Sequence, residues 1–409
     1  MTVIGADFDA IVVGAGPAGS VVAEALARAS FRVALLEEHP RVGLPNHCSG
    51  LVSPRTLEVA RVAEWEVGLA RYTSARVWGP GGGTLWLRSE GVQAVAIDRP
   101  RFDQILAERA VRAGAELMVG TRACGFERLT GGVRVEARAG ARTLQLEAPL
   151  LVGADGASSR VARWMGGWTG TGKGGGRETI PAIKADVAFR DGGSEHIEIL
   201  LGHAVAPGWF GWVIPLPDGT ARIGIGATRA VRRCFERFLC LVQDRFGDFI
   251  LLGNEARRAP LPLGPGRGFV ADHVLLVGAA ARQTKPTTGG GLYFGLRAAR
   301  LAAETGVGAL ARGDCSRRAL AAYERAWRRC DGRELWVGHW LRRGFRRLSD
   351  GGLDRAIQLL NLPWARDWIS RLGDMDYPSR LLVPRAAGRR GRARMPRASE
   401  ARQRANLGA

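Results

Sequence analysis

The first residues of this chain that could do chemistry are three glycines at the spacing Gly14-x-Gly16-x-x-Gly19. In such a turn the first glycine permits a tight bend, the second lets backbone N–H groups approach a pyrophosphate, and the third lets the next helix pack closely. Glu37 follows 23 residues after Gly14 and can accept hydrogen bonds from a ribose. These residues predict a binding site for an adenine dinucleotide. A glycine-rich structural turn is the alternative interpretation.

The sequence on either side of these glycines predicts the strands and the helix that position them. Ile11, Val12 and Val13 form a short β-branched run that is typical of a buried parallel strand, and the segment 20–29 is rich in helix-favouring residues. A second apolar run, 33–36, ends directly at Glu37. The pattern therefore predicts a strand, a turn, a helix and a second strand in that order.

Two later apolar runs predict further strands of the same domain. The run 150–152 leads into Gly153-Ala154-Asp155-Gly156, and the run 274–277 leads into a loop, 284–291, that precedes a predicted helix, 292–304. A helix is also predicted after Asp98, with Pro100 in its first turn. The nucleotide domain is therefore expected to be discontinuous along the chain.

Between these parts the pattern changes to antiparallel strands. The segments 209–216 and 220–227 flank Pro217-Asp218-Gly219, a sequence that favours a tight turn because proline fixes φ and glycine tolerates positive φ. We interpret this as a hairpin in a second domain.

The composition limits the possible partners. The formal net charge is +20, but only three of the 59 basic residues are lysines, which indicates a general arginine bias rather than a nucleic-acid patch. The stretch 312–347 has eleven arginines against four acidic residues and also carries Trp336 and Trp340, so we expect it to contact an anionic membrane surface. The stretch 385–409 is predicted to be a disordered basic tail.

Neither a membrane span nor a signal peptide is recognisable, so we expect a cytoplasmic protein that associates peripherally with membranes. The six cysteines form neither a C-x-x-C pair nor a cluster with histidine at zinc spacing, so no metal site is predicted.

The motifs in this order resemble those of the geranylgeranyl reductase family, within the flavoprotein superfamily of p-hydroxybenzoate hydroxylase. Besides the first glycines and the Asp155 loop, the resemblance rests on three segments. They are Pro45-Asn46-His47-Cys48-Ser49-Gly50-Leu51, Phe210-Gly211-Trp212-Val213-Ile214-Pro215 and Pro286-Thr287-Thr288-Gly289-Gly290-Gly291.

The resemblance implies an α/β fold with a Rossmann-type FAD-binding domain, an antiparallel-sheet substrate domain and a helical C-terminal region. The FAD-binding domain would comprise 1–60, 98–165 and 268–305. The substrate domain would comprise 61–97 and 177–267, and the helical region 306–380.

The resemblance also implies FAD as the cofactor and hydride transfer from reduced FAD to a carbon–carbon double bond of an isoprenoid, either a prenyl diphosphate or a prenyl lipid. By analogy, the following residues would bind FAD: Gly14, Gly16, Ala18, Gly19, Glu37, Cys48, Ser49, Gly50, Arg99, Ala123, Asp155, Ala279, Gly289, Gly290, Gly291 and Leu292. Phe210, Trp212 and Pro215 would bind the substrate.

Three residues are candidates for catalysis. Cys48 could deliver a proton, orient the flavin or fill space. Trp212 would wall a prenyl tunnel, or it is part of an ordinary sheet core. Lys285 would contact the polar edge of the flavin ring or a substrate phosphate, or it is an exposed loop lysine.

The chain departs from the family at Ala279. The family places Asp there and Gly at the position of Arg282, so a side-chain contact to the ribityl chain is missing. The loss of one such hydrogen bond costs about 1 to 3 kcal/mol. One alternative is therefore a flavin-poor protein that binds prenyl lipids. The superfamily resemblance leaves a second alternative, a flavin monooxygenase or halogenase. No second glycine motif is present in the sequence, so a separate NADPH-binding domain is not expected. The electron donor would be NADPH that binds transiently or a reduced protein carrier.

Overall fold

The computed structural model describes residues 3–166, 178–191 and 193–382, and the predicted tail 385–409 lies outside them. The strands along the described chain are β1 (Val3–Asp7), β2 (Ala10–Val13), β3 (Val33–Leu36), β4 (Leu51–Val52), β5 (Gly68–Tyr72), β6 (Ser74–Trp78), β7 (Thr84–Arg88), β8 (Ala94–Ile97), β9 (Glu116–Met118), β10 (Thr121–Leu129), β11 (Gly132–Ala139), β12 (Arg142–Ala148), β13 (Leu150–Gly153), β14 (Thr179–Phe189), β15 (Ile197–Leu200), β16 (Gly211–Pro215), β17 (Thr220–Gly226), β18 (Phe249–Pro262), β19 (Val270–Ala271) and β20 (Val274–Leu276).

The helices are α1 (Pro17–Arg28), α2 (Pro54–Ala60), α3 (Glu64–Val67), α4 (Arg99–Arg112), α5 (Arg160–Trp164), α6 (Val231–Phe246), α7 (Leu292–Ala311), α8 (Arg317–Trp327), α9 (Arg333–Phe345), α10 (Asp350–Leu360) and α11 (Pro363–Leu372). Short 3₁₀ turns cover Gly278–Ala281 and Pro378–Leu381, and a π turn covers Arg328–Gly332.

A six-stranded sheet with the order β19-β20-β13-β2-β3-β9 forms the centre of the nucleotide-binding part. β2 is buried along its whole length between β13 and β3, and both neighbours are parallel to it. Side chains of α1, α7, β11 and β12 belong to the same core, so helices and the four-stranded sheet β1-β12-β11-β10 cover the parallel sheet. The predicted succession of β2, α1 and β3 is confirmed.

The second large sheet has seven strands in the order β18-β14-β17-β16-β15-β6-β7. All its pairings are antiparallel except that of β15 with β6, and β16 and β17 form the predicted hairpin. One face packs on α6 through apolar side chains such as Val213, Ile223 and Phe238. Because side chains alternate along a strand, the remaining side chains of this sheet point to the face opposite α6. The candidate functional site lies on that opposite face.

The segment 61–97 contributes to two sheets. β6 and β7 extend the seven-stranded sheet, whereas β5 and β8 join β4 in a three-stranded sheet. β5 ends at Tyr72 and β6 begins at Ser74, so Thr73 alone separates the two sheets along the chain. The division into domains stays a prediction.

Candidate functional site

The three glycines after β2 have three different environments. Gly14 has φ of +103°, and a Cβ there would lie 2.6 Å from the carbonyl oxygen of Ala154. A Cβ at Gly19 would clash with the carbonyl oxygen of Gly14. A Cβ at Gly16 would meet nothing within 4 Å, so open space lies in front of this residue. Gly14 and Gly19 thus form the turn and seat the helix, and Gly16 faces a cradle.

The N-terminus of α1 faces the same cradle. Among the described residues, no side chain caps this terminus and its first turn has no acidic residue. The first N–H groups and the positive end of the helix dipole are therefore available to an anion. Ala18 lies here, and a Cβ at Gly278 would come within 3.0 Å of its Cβ, which brings the second turn against the first. The arrangement fits the pyrophosphate of FAD.

The Glu37 carboxylate lies at the end of β3 beside this cradle. Its Oε2 accepts a hydrogen bond from the backbone N of Ala15 at 3.1 Å, and its Oε1 lies 2.6 Å from Nδ1 of His39. The carboxylate is thus fixed in place at the position expected for a ribose partner. His39 is a neighbour that the sequence did not reveal.

Two predicted cofactor residues direct their side chains into the protein instead. Arg99 pairs with Asp103 through hydrogen bonds of 2.9 to 3.1 Å, and the Asp155 carboxylate accepts from Ser159 Oγ at 2.5 Å and Arg160 N at 2.6 Å. Burial raises the pKa of Asp155, and the hydrogen bond from Ser159 opposes this shift. Direct contacts from these two charged groups to FAD therefore stay predictions.

Ala123 lies on β10 beside an irregularity in its pairing with β11. Its side chain is buried in the main core. An adenine contact at this position would therefore use the backbone.

The Cys48 loop, residues 45–50, lies against the seven-stranded sheet and beside Arg99 at the start of α4. Cys48 N donates to Asn46 Oδ1 at 3.2 Å, and the Cys48 thiol accepts from Gly50 N at 3.3 Å. The Arg99 guanidinium also interacts with this thiol, and although burial opposes the charge, Asp103 and Cys48 raise the pKa of Arg99. A backbone donor and a cation therefore lie close to the sulfur.

The seven-stranded sheet holds the Cys48 loop through buried cations. Nζ of Lys184 on β14 donates to the Cys48 carbonyl at 3.1 Å, and Nη1 of Arg222 on β17 donates to the Ser49 carbonyl at 2.8 Å. Gly50 has φ of +69°, and a Cβ there would clash with the Arg222 guanidinium. Gly50 is therefore required by its neighbours and its backbone conformation.

Burial changes the titration of two groups around this loop. Burial lowers the pKa of Lys184, although the nearby Asp186 carboxylate opposes the shift. The pKa of His47 is also lowered, first by burial and then by Arg257. At neutral pH the imidazole of His47 is therefore uncharged.

Trp212 shares a face with Lys184. Lys184, Gly224 and Trp212 occupy paired positions on β14, β17 and β16. The indole lies so close to Gly224 that any side chain there would clash with it. Among the described residues, Trp212 Nε1 is buried without a hydrogen-bond partner, so an acceptor on a bound ligand would satisfy it.

The three residues predicted to bind the substrate are not on one face. Phe210 and Trp212 are in edge-to-face contact, with ring centroids 6.3 Å apart. Strand alternation places Pro215 with Val213, on the face that packs against α6. Pro215 and Trp212 therefore lie on opposite faces of the sheet, and contact of Pro215 with the substrate stays a prediction.

An apolar cluster surrounds Trp212. It contains Tyr72, Ala94, Ala96, Ile197 and Ile214, with Leu51, Trp212, Leu216 and Met375 packed against it. Leu51 directly follows the Cys48 loop. An apolar surface thus lies next to the thiol.

Lys285 is buried and is not the exposed loop lysine of the alternative interpretation. Its Nζ lies 3.0 Å from Asp376 Oδ1 and donates to the Met375 carbonyl at 2.9 Å. A Cβ at Gly290 would lie 2.8 Å from Lys285 Cε, so the aliphatic stem supports the Gly289–Gly291 turn. Contact of the ammonium with a flavin ring or a phosphate stays a prediction.

The C-terminal strap, residues 374–377, is anchored at both ends. Arg55 donates to Asp374 at 2.7 and 2.9 Å, and the hydroxyls of Tyr377 and Tyr293 are 3.0 Å apart. The strap thereby connects α2, α7 and the loop before Leu292, where α7 begins.

The departure at Ala279 leaves the shape of its turn intact. Arg282 adopts a left-handed conformation with φ of 55°, which explains why glycine suits this position. Its guanidinium donates to the Glu178 carbonyl at 2.9 Å and to Thr179 Oγ1 at 3.1 Å. Gln283, which is fully buried, accepts from Gly278 N at 2.7 Å.

Ala279 itself lines a cavity with Ser158, Ser159 and Arg163. A methyl group therefore faces polar neighbours where the family has a carboxylate. The turn from Gly278 to Arg282 therefore keeps its place beside the turn from Gly14 to Gly19 but lacks the carboxylate acceptor at position 279.

Sequence reasoning missed several residues of this site. Lys184, Arg222 and Asp376 were missed because their partners are distant along the chain. His39 and Gln283 have partners close along the chain but belong to none of the motifs that were recognised. Lys184 had a signal, since it is one of three lysines in the chain and that rarity also drew attention to Lys285.

The C-terminal helices present apolar side chains to solvent. Trp336 and Trp340 on α9 are 50% and 49% exposed, and Trp364 and Trp368 on α11 are 64% and 36% exposed. Across the described parts of the chain, none of the helices has the length and hydropathy needed to cross a bilayer.

Comparison with known proteins gives concordant results. Residues 7–223 match a family model described as an FAD binding domain. Digeranylgeranylglycerophospholipid reductase from Methanothrix thermoacetophila is 32% identical over 363 residues, which cover 85% of this chain and 90% of that protein.

Solved structures share the fold. A geranylgeranyl bacteriochlorophyll reductase-like protein from Thermoplasma acidophilum has a TM-score of 0.79 at 24% identity, covering 87% of this chain and 92% of that one. A flavin-dependent halogenase has a TM-score of 0.66 at 18% identity, covering 90% and 72%. The predicted fold class is confirmed.

Proposed function

The chain belongs to the family of digeranylgeranylglycerophospholipid reductases, and on that premise we propose that it transfers a hydride from reduced FAD to carbon–carbon double bonds of a geranylgeranyl or related isoprenoid chain. It is an FAD-dependent oxidoreductase. The observation that carries the proposal is the apolar cluster around Trp212 beside the Cys48 loop. A prenyl chain has only apolar surface, and such a wall can hold it and exclude water.

The residues of the chain have separate roles in this proposal. Gly14 to Gly19 and Glu37 hold the phosphates and a ribose of FAD, and the chemistry that reduced FAD supplies when bound is hydride donation. Phe210 and Trp212 orient the alkene. Lys285 supports the loop 286–291 beside the ring through its pairing with Asp376.

Cys48 is the proposed proton donor. Its thiol gives a proton to the carbon next to the one that receives the hydride, and the thiolate is then reprotonated from solvent. The Gly50 N–H and Arg99, which face the sulfur, stabilise the transient thiolate.

The electrons come from NADPH or from a reduced protein carrier. If NADPH is the donor, its anaerobic addition bleaches the bound flavin. If it leaves the flavin oxidised while dithionite reduces it, a protein carrier is the donor.

We also propose that the C-terminal helices contact an anionic membrane surface. The exposed tryptophans of α9 and α11 and the arginines around them suit the interface between headgroups and acyl chains. Binding to anionic liposomes should weaken as salt is raised. Equal binding to neutral and anionic vesicles would contradict this part of the proposal.

A direct experiment measures cofactor and product together. The purified protein is assayed for released FAD, then reduced under anaerobic conditions and incubated with a digeranylgeranyl glycerophospholipid. Mass spectrometry should show the gain of two hydrogens for each bond reduced. A Cys48→Ala variant should form product about 100-fold more slowly for each bound FAD.

A second candidate function is favoured by Ala279. If the missing carboxylate prevents FAD from binding, the protein is a binding protein for prenyl lipids. It would then retain lipid without turnover, and added FAD would not restore activity. Activity that requires oxygen or halide would instead indicate a monooxygenase or halogenase.

A further inference from the structure

We propose that Lys184 is a positioning residue that fixes the Cys48 thiol relative to the substrate wall, acting through the backbone of the Cys48 loop. This inference rests on the proposed function, because it gives a role in that reaction to a residue outside the family motifs described above.

Three neighbouring strands of the seven-stranded sheet each send a cation to this loop. Arg257 on β18 donates to the Asn46 carbonyl at 3.0 Å, Lys184 on β14 to the Cys48 carbonyl at 3.1 Å, and Arg222 on β17 to the Ser49 carbonyl at 2.8 Å. The three donors form a clamp, and Lys184 is its central member. The clamp joins the sheet that carries Trp212 to the loop that carries Cys48.

The ammonium group of Lys184 is buried, which is unusual for a lysine that only fills space in a sheet. Lys184 is 3% exposed, and its ammonium has a second partner only in Asp186 Oδ1, at 3.4 Å, within the described parts of the chain. A buried ammonium is costly to desolvate, and an apolar residue of similar size would fill the space without that cost. The charge is therefore best explained by the contact that it makes with the loop.

The position of Lys184 also determines what the clamp controls. Lys184 lies in one cross-strand row with Gly224 and Trp212, so the carbonyl of Cys48 and the indole are held by the same row. Release of that carbonyl would let the thiol move relative to an alkene held against Trp212. A displacement of about 1 Å in such a site reduces a rate by about 100-fold.

The test uses the flavin-loaded protein and the variant K184M, which keeps the length of the side chain but lacks the donor. Amide hydrogen exchange in the peptide 44–51 should become about tenfold faster, as expected when one hydrogen bond to the loop is lost. The maximal rate of flavin oxidation by the prenyl lipid should fall about 100-fold while the half-saturating lipid concentration changes less than about threefold.

Two further variants keep the test decisive. D186N removes the negative charge of the other partner of Lys184 and leaves the bond to Cys48, so exchange and rate should both stay near those of the wild type. R257M removes an exposed member of the clamp without disturbing the core. Amide exchange in the loop should rise in R257M by a smaller factor than in K184M. This measurement remains available if K184M does not fold.

The inference is overturned if K184M folds and binds FAD but leaves loop exchange and maximal rate unchanged. It is also overturned if K184M does not fold and R257M leaves exchange in the loop unchanged. Failure of the proposed function looks different, because the wild type would then bind FAD without oxidation by lipid. In that case the exchange comparison still shows whether the clamp holds the loop.

Discussion

The turns that follow β2 and β20 lie side by side but are built in different ways. The first, from Gly14 to Gly19, works through backbone geometry and the N-terminus of α1. The second, from Gly278 to Arg282, keeps its shape through a left-handed Arg282 and the buried Gln283, yet has Ala279 where a carboxylate would be expected. A turn that works through backbone groups is insensitive to changes in side chains, whereas a contact made by one carboxylate is lost when that side chain is replaced.

The largest expected effect separates two glycines of the first turn. In G19A the new Cβ would clash with the Gly14 carbonyl, so we expect the free energy of unfolding to fall by on the order of 5 kcal/mol. In G16A the Cβ points into open space at a residue with φ of −69°, so the protein without FAD should keep its stability. FAD affinity should nevertheless fall about tenfold or more, because the Cβ occupies the cradle. Chemical unfolding and FAD titration measure the two effects, and equal stabilities of G16A and G19A would contradict the account of this turn.

A smaller effect is expected where the strap supports the loop 286–291. Replacing Lys285 by Met leaves the Asp376 carboxylate buried without its cation, which should cost about 3 to 5 kcal/mol. The double variant K285M/D376L, which removes both charges, should recover most of this loss. Urea unfolding measures the difference. If the single and double variants are equally unstable, the ion pair does not hold the strap.

Restoring the missing acceptor should sharpen the comparison. We expect A279D to increase FAD affinity by about 5- to 150-fold, which corresponds to about 1 to 3 kcal/mol for one hydrogen bond to a hydroxyl. A157D places the same charge in the same cavity from another wall and is the matched control. Isothermal titration with FAD gives both affinities. An equal gain in the two variants would mean that charge alone, and not a contact at position 279, is responsible.

The smallest effect concerns pH. Burial acts to raise the pKa of Glu178, but the ion pair with Arg342 outweighs it and lowers the pKa below the ordinary value of 4.5. A carboxyl with a depressed pKa in the folded state stabilises the fold above its unfolded pKa, and this contribution is lost as pH falls through the folded pKa. E178Q should therefore be less stable than the wild type by about 1 to 2 kcal/mol at neutral pH, with a difference that shrinks below pH 4.5. Thermal unfolding across this range measures it, and a constant difference would contradict the assignment.

The sequence could predict those features that depend on residues close together along the chain. The strand, turn and helix around Gly14 depend on residues close along the chain, and the hairpin at Pro217-Asp218-Gly219 depends on turn chemistry. The structure confirms both, and the relatives confirm the family that the motifs indicated.

The rest of the site depends on pairings between distant residues. Lys184 and Cys48 are 136 positions apart, and Lys285 and Asp376 are 91 apart. No local pattern encodes such pairings. Arg99 and Asp155 were expected to face the cofactor by analogy alone, whereas their charged groups bind neighbours only four or five positions along the chain. The motif 210–215 was read as a unit, whereas strand alternation places Pro215 and Trp212 on opposite faces of the sheet.

The most direct test of the account is anaerobic mixing of the reduced, FAD-loaded protein with a digeranylgeranyl glycerophospholipid while visible absorption is followed. The account predicts that the absorption of oxidised flavin returns at a rate that rises with lipid concentration, and that saturated product accumulates in step. If the flavin stays reduced in the presence of lipid and is oxidised only when oxygen is admitted, the assignment as a prenyl reductase is wrong.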